Sequence, residues 1–369
     1  MSKVGETTLV LDLAALEHNY NYLRSKITPE TKFLGVVKAF AYGSDMVAIA
    51  KKLEQLGTDY LAVAYVNEGV LLRKAGVQLP ILVLHPLASN FDDLIEYHLE
   101  PSIYSKNILN QFLKAAKEGG QRDYPVHIKF NTGLNRLGFS EEDVDFIAEE
   151  IKRSGSIKIV STFSHLAASE DKNEQAFSLE QIESFKNLSG ALLDRLGYAP
   201  IRHMLNTSGI INYPEAQFEM VRSGIGLYGY GNQAETDAAL KPVATLKTVI
   251  SQIHQIKADE SVGYNRAFKS SRAIKSATLP IGHADGIGRQ YGKGKGVVTI
   301  NNKKAPILGN VCMDMIMVDV TEIDCKEGDE AIVFGTEKSA EKFASNAGTI
   351  SYEILTAISQ RVKRVVTGA

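Results

Sequence analysis

Along the first 230 residues the hydrophobic positions alternate between two spacings. Short runs rich in β-branched and aliphatic residues predict eight strands, at Lys32–Val37, Tyr60–Ala64, Ile81–Leu84, Glu100–Ile103, Val126–Phe130, Ile157–Phe163, Ile201–Leu205 and Met220–Arg222. Between most of them the spacing is helical. Within Leu13–Lys26 the apolar Leu13, Leu16, Tyr20 and Leu23 recur every three or four residues. Met46, Ile49, Ala50 and Leu53 repeat the pattern, as does the stretch from Phe177 to Leu196. Alternating strand and helix predicts a parallel sheet with helices outside it, and eight strands is the number that closes a (β/α)8 TIM-type barrel. Periodicity cannot see closure, so a doubly wound open sheet remains the alternative.

After about residue 235 strand follows strand: Val243–Ile256, Ala277–Ile281, Val297–Ile300, Ile307–Leu308, Ile316–Val320 and Ala331–Phe334. Turn clusters such as Gly292–Gly296 separate them, and the clear late helix is Tyr352–Arg361. This predicts a mostly antiparallel β domain. An early strand, Thr7–Leu11, precedes the first barrel helix and is expected to join it. The expected division is therefore 12–235 for the barrel, and 1–11 with 236–369 for the β domain.

Composition narrows the function. The 43 acidic and 41 basic side chains leave a net charge of −2, which builds no field for DNA, RNA or an anionic membrane. A hydrophobic share of 44% is ample for two cores. No apolar run reaches the ~18 residues of a spanning helix, and the N-terminus lacks the shape of a signal peptide. Two cysteines, Cys312 and Cys325, make neither a disulfide framework nor a zinc knuckle. A cytoplasmic enzyme is the expectation.

In barrel enzymes the chemistry gathers where strands end. The first barrel strand ends in Val36-Val37-Lys38, where Lys38 is the one polar side chain in an apolar stretch. A lysine in such surroundings has a lowered pKa and can form a Schiff base. The fifth carries Lys129 and runs into Asn131, Asn135 and Arg136; the sixth ends at Ser164-His165, the seventh at Asn206-Thr207-Ser208, the eighth at Arg222-Ser223-Gly224-Ile225. No second ligand stands at metal spacing from His165, so no metal is expected. The run Gly224–Gly229 matches the dinucleotide pattern G-x-G-x-x-G, but it comes after seven other strands and opens no helix. Its glycines suit a phosphate instead, since barrels often hold one after strands seven and eight. A Schiff-base lysine with a phosphate cradle suggests pyridoxal 5′-phosphate.

Six segments in register carry a family resemblance: Val37–Gly43, Asn131–Phe139, Ser261–Arg266, Pro280–Gly286, Gly309–Met315 and Ser351–Glu353. In these the chain resembles the alanine racemases, from about residue 8 to the C-terminus. The resemblance implies pyridoxal 5′-phosphate on Lys38, its phosphate bound by Tyr42, Thr207, Gly224, Ile225 and Tyr352, with Asn206 also in contact and His165 beside the ring. Arg222 would face the pyridine nitrogen. A guanidinium has no acceptor, so that nitrogen would stay unprotonated, which favours return of the α-proton over transamination. Lys38 and Tyr264 would be the two opposed bases, serving the D- and L-alanine sides. Arg136 and Met313 would contact the substrate, and Lys129 resembles a lysine often carbamylated in this family. Tyr264 and Met313 would come from the partner of a head-to-tail homodimer, and the D-alanine would supply peptidoglycan.

The chain departs from the family pattern at Phe40, Ser44-Asp45, Asn135 and His283. These leave a different or broader amino-acid preference, serine included, as an alternative. A decarboxylase on the same plan would pair the ring nitrogen with an acid rather than Arg222. A non-catalytic pyridoxal-phosphate carrier would be a single domain. A cofactor-free hydrolase would leave Lys38 and Arg222 unexplained.

Overall fold

The computed structural model describes residues 6–335 and 340–368; the expected domain ends at 1–5 and 369, and the stretch 336–339, lie outside them. The chain opens with β1 (Thr8–Asp12) and α1 (Leu13–Arg24). Asp12 starts this helix by accepting from the Ala14 and Ala15 amides, at 2.9 and 3.2 Å. Its Leu13, Leu16, Tyr20 and Leu23 face inward, as the spacing requires.

The barrel follows as β2 (Lys32–Val36), α2 (Lys38–Gly43), α3 (Met46–Gln55), β3 (Tyr60–Val63), α4 (Val66–Lys74), β4 (Ile81–Val83) and α5 (Phe91–Glu96). Next come β5 (Glu100–Ile103), α6 (Lys106–Glu118), β6 (Tyr124–Lys129), α7 (Val144–Ser154), β7 (Ile157–Phe163) and α8 (Gln175–Leu196). β8 (Ile201–His203), α9 (Thr207–Asn212), β9 (Met220–Ser223) and α10 (Ala234–Ala239) complete it. All eight strands pair in parallel, and β9 returns to β2 with Leu34 opposite Arg222, which closes the sheet. The closed barrel decides against the open-sheet alternative. Helices α7 and α8 end where glycine adopts the left-handed conformation, at Gly155 (φ 60°) and Gly197 (φ 78°).

The second region contributes β10 (Ala244–Val249), β11 (Gln252–Ile256), β12 (Ser261–Val262), β13 (Phe268–Lys269), β14 (Ile274–Leu279), β15 (Val297–Ile300) and β16 (Lys303–Leu308). It ends with β17 (Ile316–Asp319), β18 (Glu330–Phe334), α11 (Ala340–Ser345), α12 (Ser351–Thr356) and β19 (Lys363–Thr367). Nine strands form one sheet in the order β11-β14-β17-β16-β15-β18-β10-β1-β19. β1 pairs antiparallel with β10 and parallel with β19, so the start and the end of the chain are neighbours.

Two expected elements differ. The run Val243–Ile256 is two strands, because the backbone changes partner midway: Ile250 donates to Asp329 and Ser251 to Thr278. The helix expected at Tyr352–Arg361 stops at Thr356, and Ser359 donates to the Asp285 carbonyl instead of continuing the spiral.

Candidate active site

Lys38 leaves the end of β2 on an unusual piece of backbone. Ala39, Phe40, Ala41 and Tyr42 all lie in the left-handed region, with φ of 53° to 54°. For L-residues this costs ~1–2 kcal/mol each, so tertiary contacts must hold it. The Glu68 carboxylate does so from α4, accepting from Ala39 at 2.6 Å and from Ala64 at 2.7 Å. Gly43 (φ 78°) packs so tightly on the Leu355 carbonyl that a Cβ would overlap it, and Arg364 donates to the Gly43 carbonyl at 2.8 Å. Burial lowers the Lys38 pKa, and Arg136 adds to the effect while Glu68 opposes it. Such a lysine has access to its neutral, nucleophilic form.

The cavity floor is polar and cationic. Arg222 donates through one terminal nitrogen to His203 Nδ1 (2.6 Å) and the His203 carbonyl (3.1 Å). Through the other it donates to the Ser164 and Met204 carbonyls (2.7 and 3.0 Å) and His165 Nδ1 (3.2 Å). Among the described residues these account for the guanidinium's protein acceptors, and Nε is the donor left for a ligand. Burial pulls the Arg222 pKa down to about 9. Burial together with Arg222 drives the His165 pKa well below its usual value, so His165 is a neutral ring. Lys129, at the end of β6, has its pKa lowered to about 8, by burial first and then by Arg136.

One wall combines hydroxyls with glycine. A Cβ on Gly224 would overlap the Tyr42 hydroxyl, so backbone and phenol share one corner. Beside it the Thr207 hydroxyl meets the Ser223 hydroxyl at 3.0 Å and accepts from the Gly226 amide at 3.2 Å. Asn206 starts α9 by accepting from Gly209 at 2.9 Å, and Asn232 donates to the Tyr352 hydroxyl at 3.4 Å. The first turns after Asn206 and Gly224 present amides without intrahelical partners.

Lys38, Tyr42, Lys129, Arg136, His165, Asn206, Thr207, Arg222, Gly224, Ile225 and Tyr352 all line this cavity of about 620 Å³. Among the described residues that line it are four cations and no carboxylate, so the cavity is built for anions. Tyr264 and Met313 are not part of it. They line a separate groove on the β domain, 72% and 59% exposed.

Sequence reading missed several members. Tyr65 and His85 line the same mouth and follow β3 and β4, so the strand-end rule applied to every strand would have found them. Glu68 sits inside a helix, and no local signal distinguishes it from a surface acid. Of the departures from the family pattern, Asn135 occupies a left-handed position (φ 54°), a conformation that asparagine tolerates well. Asp45 caps α3 through the Val47 and Ala48 amides, at 3.1 and 3.0 Å. Phe40 is 44% exposed, and His283 borders a small cleft with Tyr291 and Glu353.

A parallel barrel with a lysine and an anion-binding wall at its mouth, joined to a β domain, defines a class of two-domain barrel enzymes. Residues 11–232 match the alanine racemase N-terminal domain and residues 243–366 the alanine racemase C-terminal domain. The chain belongs to the alanine racemase family, whose members depend on pyridoxal phosphate. It is 38% identical to the alanine racemase of Halothermothrix orenii over 363 residues, which cover 96% of this chain and 95% of that relative. It superimposes on the alanine racemase of Clostridium difficile 630 with a TM-score of 0.92 at 35% identity, covering 98% and 96% of the two chains. The alanine racemase from Bartonella henselae with covalently bound pyridoxal phosphate matches at a TM-score of 0.89 and 29% identity, covering 98% of this chain and all of that one.

Proposed function

We propose that this chain interconverts L- and D-alanine with pyridoxal 5′-phosphate, in a head-to-tail homodimer whose sites join one barrel to the partner's β domain. The observation that carries the reading is the charge of the cavity: Lys38, Lys129, Arg136 and Arg222 converge on a space lined by no acid. A phosphate, a ring oxygen and an amino-acid carboxylate supply matching anions. The tight corner of Gly224 and Tyr42 fits the phosphate, and the free Nε of Arg222 fits an unprotonated ring nitrogen.

When bound, the cofactor supplies an electron sink that acidifies the α-proton of an amino acid. The rest is the work of side chains. The lowered pKa of Lys38 gives it a neutral amine that would attach the cofactor and that would hold or return a proton on one face of the substrate. Tyr264 of the partner subunit serves the opposite face, which is why its exposure in a single chain supports the reading. Arg222 donates to the ring nitrogen without protonating it. Tyr42, Asn206, Thr207, Gly224, Ile225 and Tyr352 hold the phosphate, His165 packs as a neutral ring, and Arg136 and the partner subunit's Met313 orient the substrate. Carbamylation of Lys129 turns a cation into an anion that steadies Arg136, and its pKa of about 8 favours that reaction. The chain works in the cytoplasm and its product feeds peptidoglycan.

Proton NMR of the purified dimer with pyridoxal phosphate and L-alanine in D₂O tests this. Loss of the α-proton signal with accumulation of D-alanine is expected. Bound cofactor without exchange or inversion overturns the alanine assignment in favour of a carrier or another substrate.

A further inference from the structure

The floor of the cavity does not end at Arg222. A continuous line of side-chain hydrogen bonds runs from it through the barrel interior, with one residue from each of five adjacent strands. His203 on β8 receives Arg222 of β9 on Nδ1 at 2.6 Å, and its Nε2 lies 2.9 Å from Ser161 Oγ on β7. Ser161 Oγ lies 2.5 Å from His127 Nδ1 on β6, and His127 Nε2 lies 2.7 Å from Glu100 Oε2 on β5. His127, Ser161 and His203 are almost wholly buried. The Phe163 ring stacks on His203 at 4.9 Å and 6°.

The ends of this line dictate the position of every proton. Guanidinium only donates, so His203 Nδ1 must accept, and the His203 proton sits on Nε2 and points at Ser161. Ser161 accepts there and gives its own hydrogen to His127 Nδ1. The His127 proton is then on Nε2 and goes to Glu100, whose carboxylate only accepts. A donor-only group at one end and an acceptor-only group at the other leave one consistent direction. A doubly protonated His127 would strand the Ser161 hydrogen, and a proton on His203 Nδ1 would face Arg222 donor against donor at 2.6 Å.

We propose that Glu100, His127, Ser161 and His203 form a directional positioning relay that fixes the donor geometry of Arg222 from the far side of the barrel. None of the four lines the cavity. Their effect passes through Arg222, so they are positioning residues. The role of Arg222 toward the ring nitrogen rests on the cofactor reading above, whereas the tautomers do not.

The first measurement is therefore the histidine ring ¹⁵N–¹H correlation spectrum of full-length protein, with and without pyridoxal phosphate. Neutral Nε2–H rings are expected for both His127 and His203. A proton on His203 Nδ1, or a doubly protonated His127, overturns the relay whether or not cofactor binds. The second measurement uses Glu100→Gln, whose amide can donate or accept, and Ser161→Ala. Each is expected to lower kcat about tenfold while the KM for alanine stays within about twofold, the scale on which removing the outer partner of an oriented group acts. Glu100→Gln should add a second His203 tautomer, and Ser161→Thr, which keeps the hydroxyl, should restore kcat. Variants with unchanged kcat and ring signals, or losses confined to folded yield, overturn the relay. Wild-type protein that binds no pyridoxal phosphate fails the cofactor reading instead.

Discussion

The mouth of the barrel and the outer groove of the β domain carry the two halves of the expected chemistry in opposite states. At the mouth, Lys38, Arg222 and His165 are shifted in pKa by burial, and Arg222 donates to the His165 ring. In the groove, Tyr264 stands 72% exposed, on a short turn where Asn265 and Arg266 have φ of 60° and 47°. The cations of the expected site stand at the barrel mouth. The contrast teaches that a single chain presents one packed half of the expected site and one exposed half, on separate surfaces.

The sharpest way to break this contrast is to disable each half separately. Lys38→Ala should abolish cofactor attachment and lower racemisation by at least about 10⁴-fold, read by chiral analysis. Tyr264→Phe should keep cofactor binding and cost about 10²–10³-fold in turnover. Mixing and re-equilibrating the two inactive variants should then restore about a quarter of wild-type activity, since half the dimers are hybrids with one intact site of two. No recovery on mixing would place Tyr264 outside the partner's site.

A smaller effect sharpens the packed half. Lys129 has a folded pKa of about 8 against 10.5 when free, so between those values the unfolded chain binds more protons. Without carbamylation, stability should therefore rise as pH increases through that window, by about 3 kcal/mol at most. Denaturant unfolding of the wild type and Lys129→Met, compared at both ends of the window in bicarbonate-free buffer, reads this as a difference in slope. Equal slopes would refute it. The smallest effect concerns Phe40, a bulky residue at φ 54°. Phe40→Asn should raise the unfolding free energy by about 1 kcal/mol, because asparagine tolerates this conformation. A variant that is less stable would show that the half-exposed phenyl ring contributes more than its backbone costs.

Most of the barrel was legible because its strands are buried on both faces and separated by amphipathic helices. Glu100–Ile103 and Ile157–Phe163 coincide with β5 and β7. The β domain was less so. β19, Lys363-Arg364-Val365-Val366-Thr367, lacks polar–apolar alternation and is an edge strand whose partner lies more than 350 residues away, so nothing local announces it. Strand-end residues of the site could be read because barrel geometry gathers them. Glu68, an acid inside a helix, could not, and neither could the line from Glu100 to His203, since inward-facing polar residues inside strands look like pattern errors until closure brings them together. The left-handed course of Ala39–Tyr42 was equally invisible, because no glycine marks it.

That left-handed course also sets an order of events on the ribosome. Its four residues lie about 320 positions before Leu355 and Arg364, whose contacts on Gly43 help to hold them. Local propensity opposes the turn, and beyond the Glu68 contact its remaining supports arrive only with α12 and with β19, which docks beside β1. A nascent barrel thus carries Lys38 beside a turn that still lacks two of its holding contacts. A chain cut short of β19 would lack the Arg364 contact on Gly43.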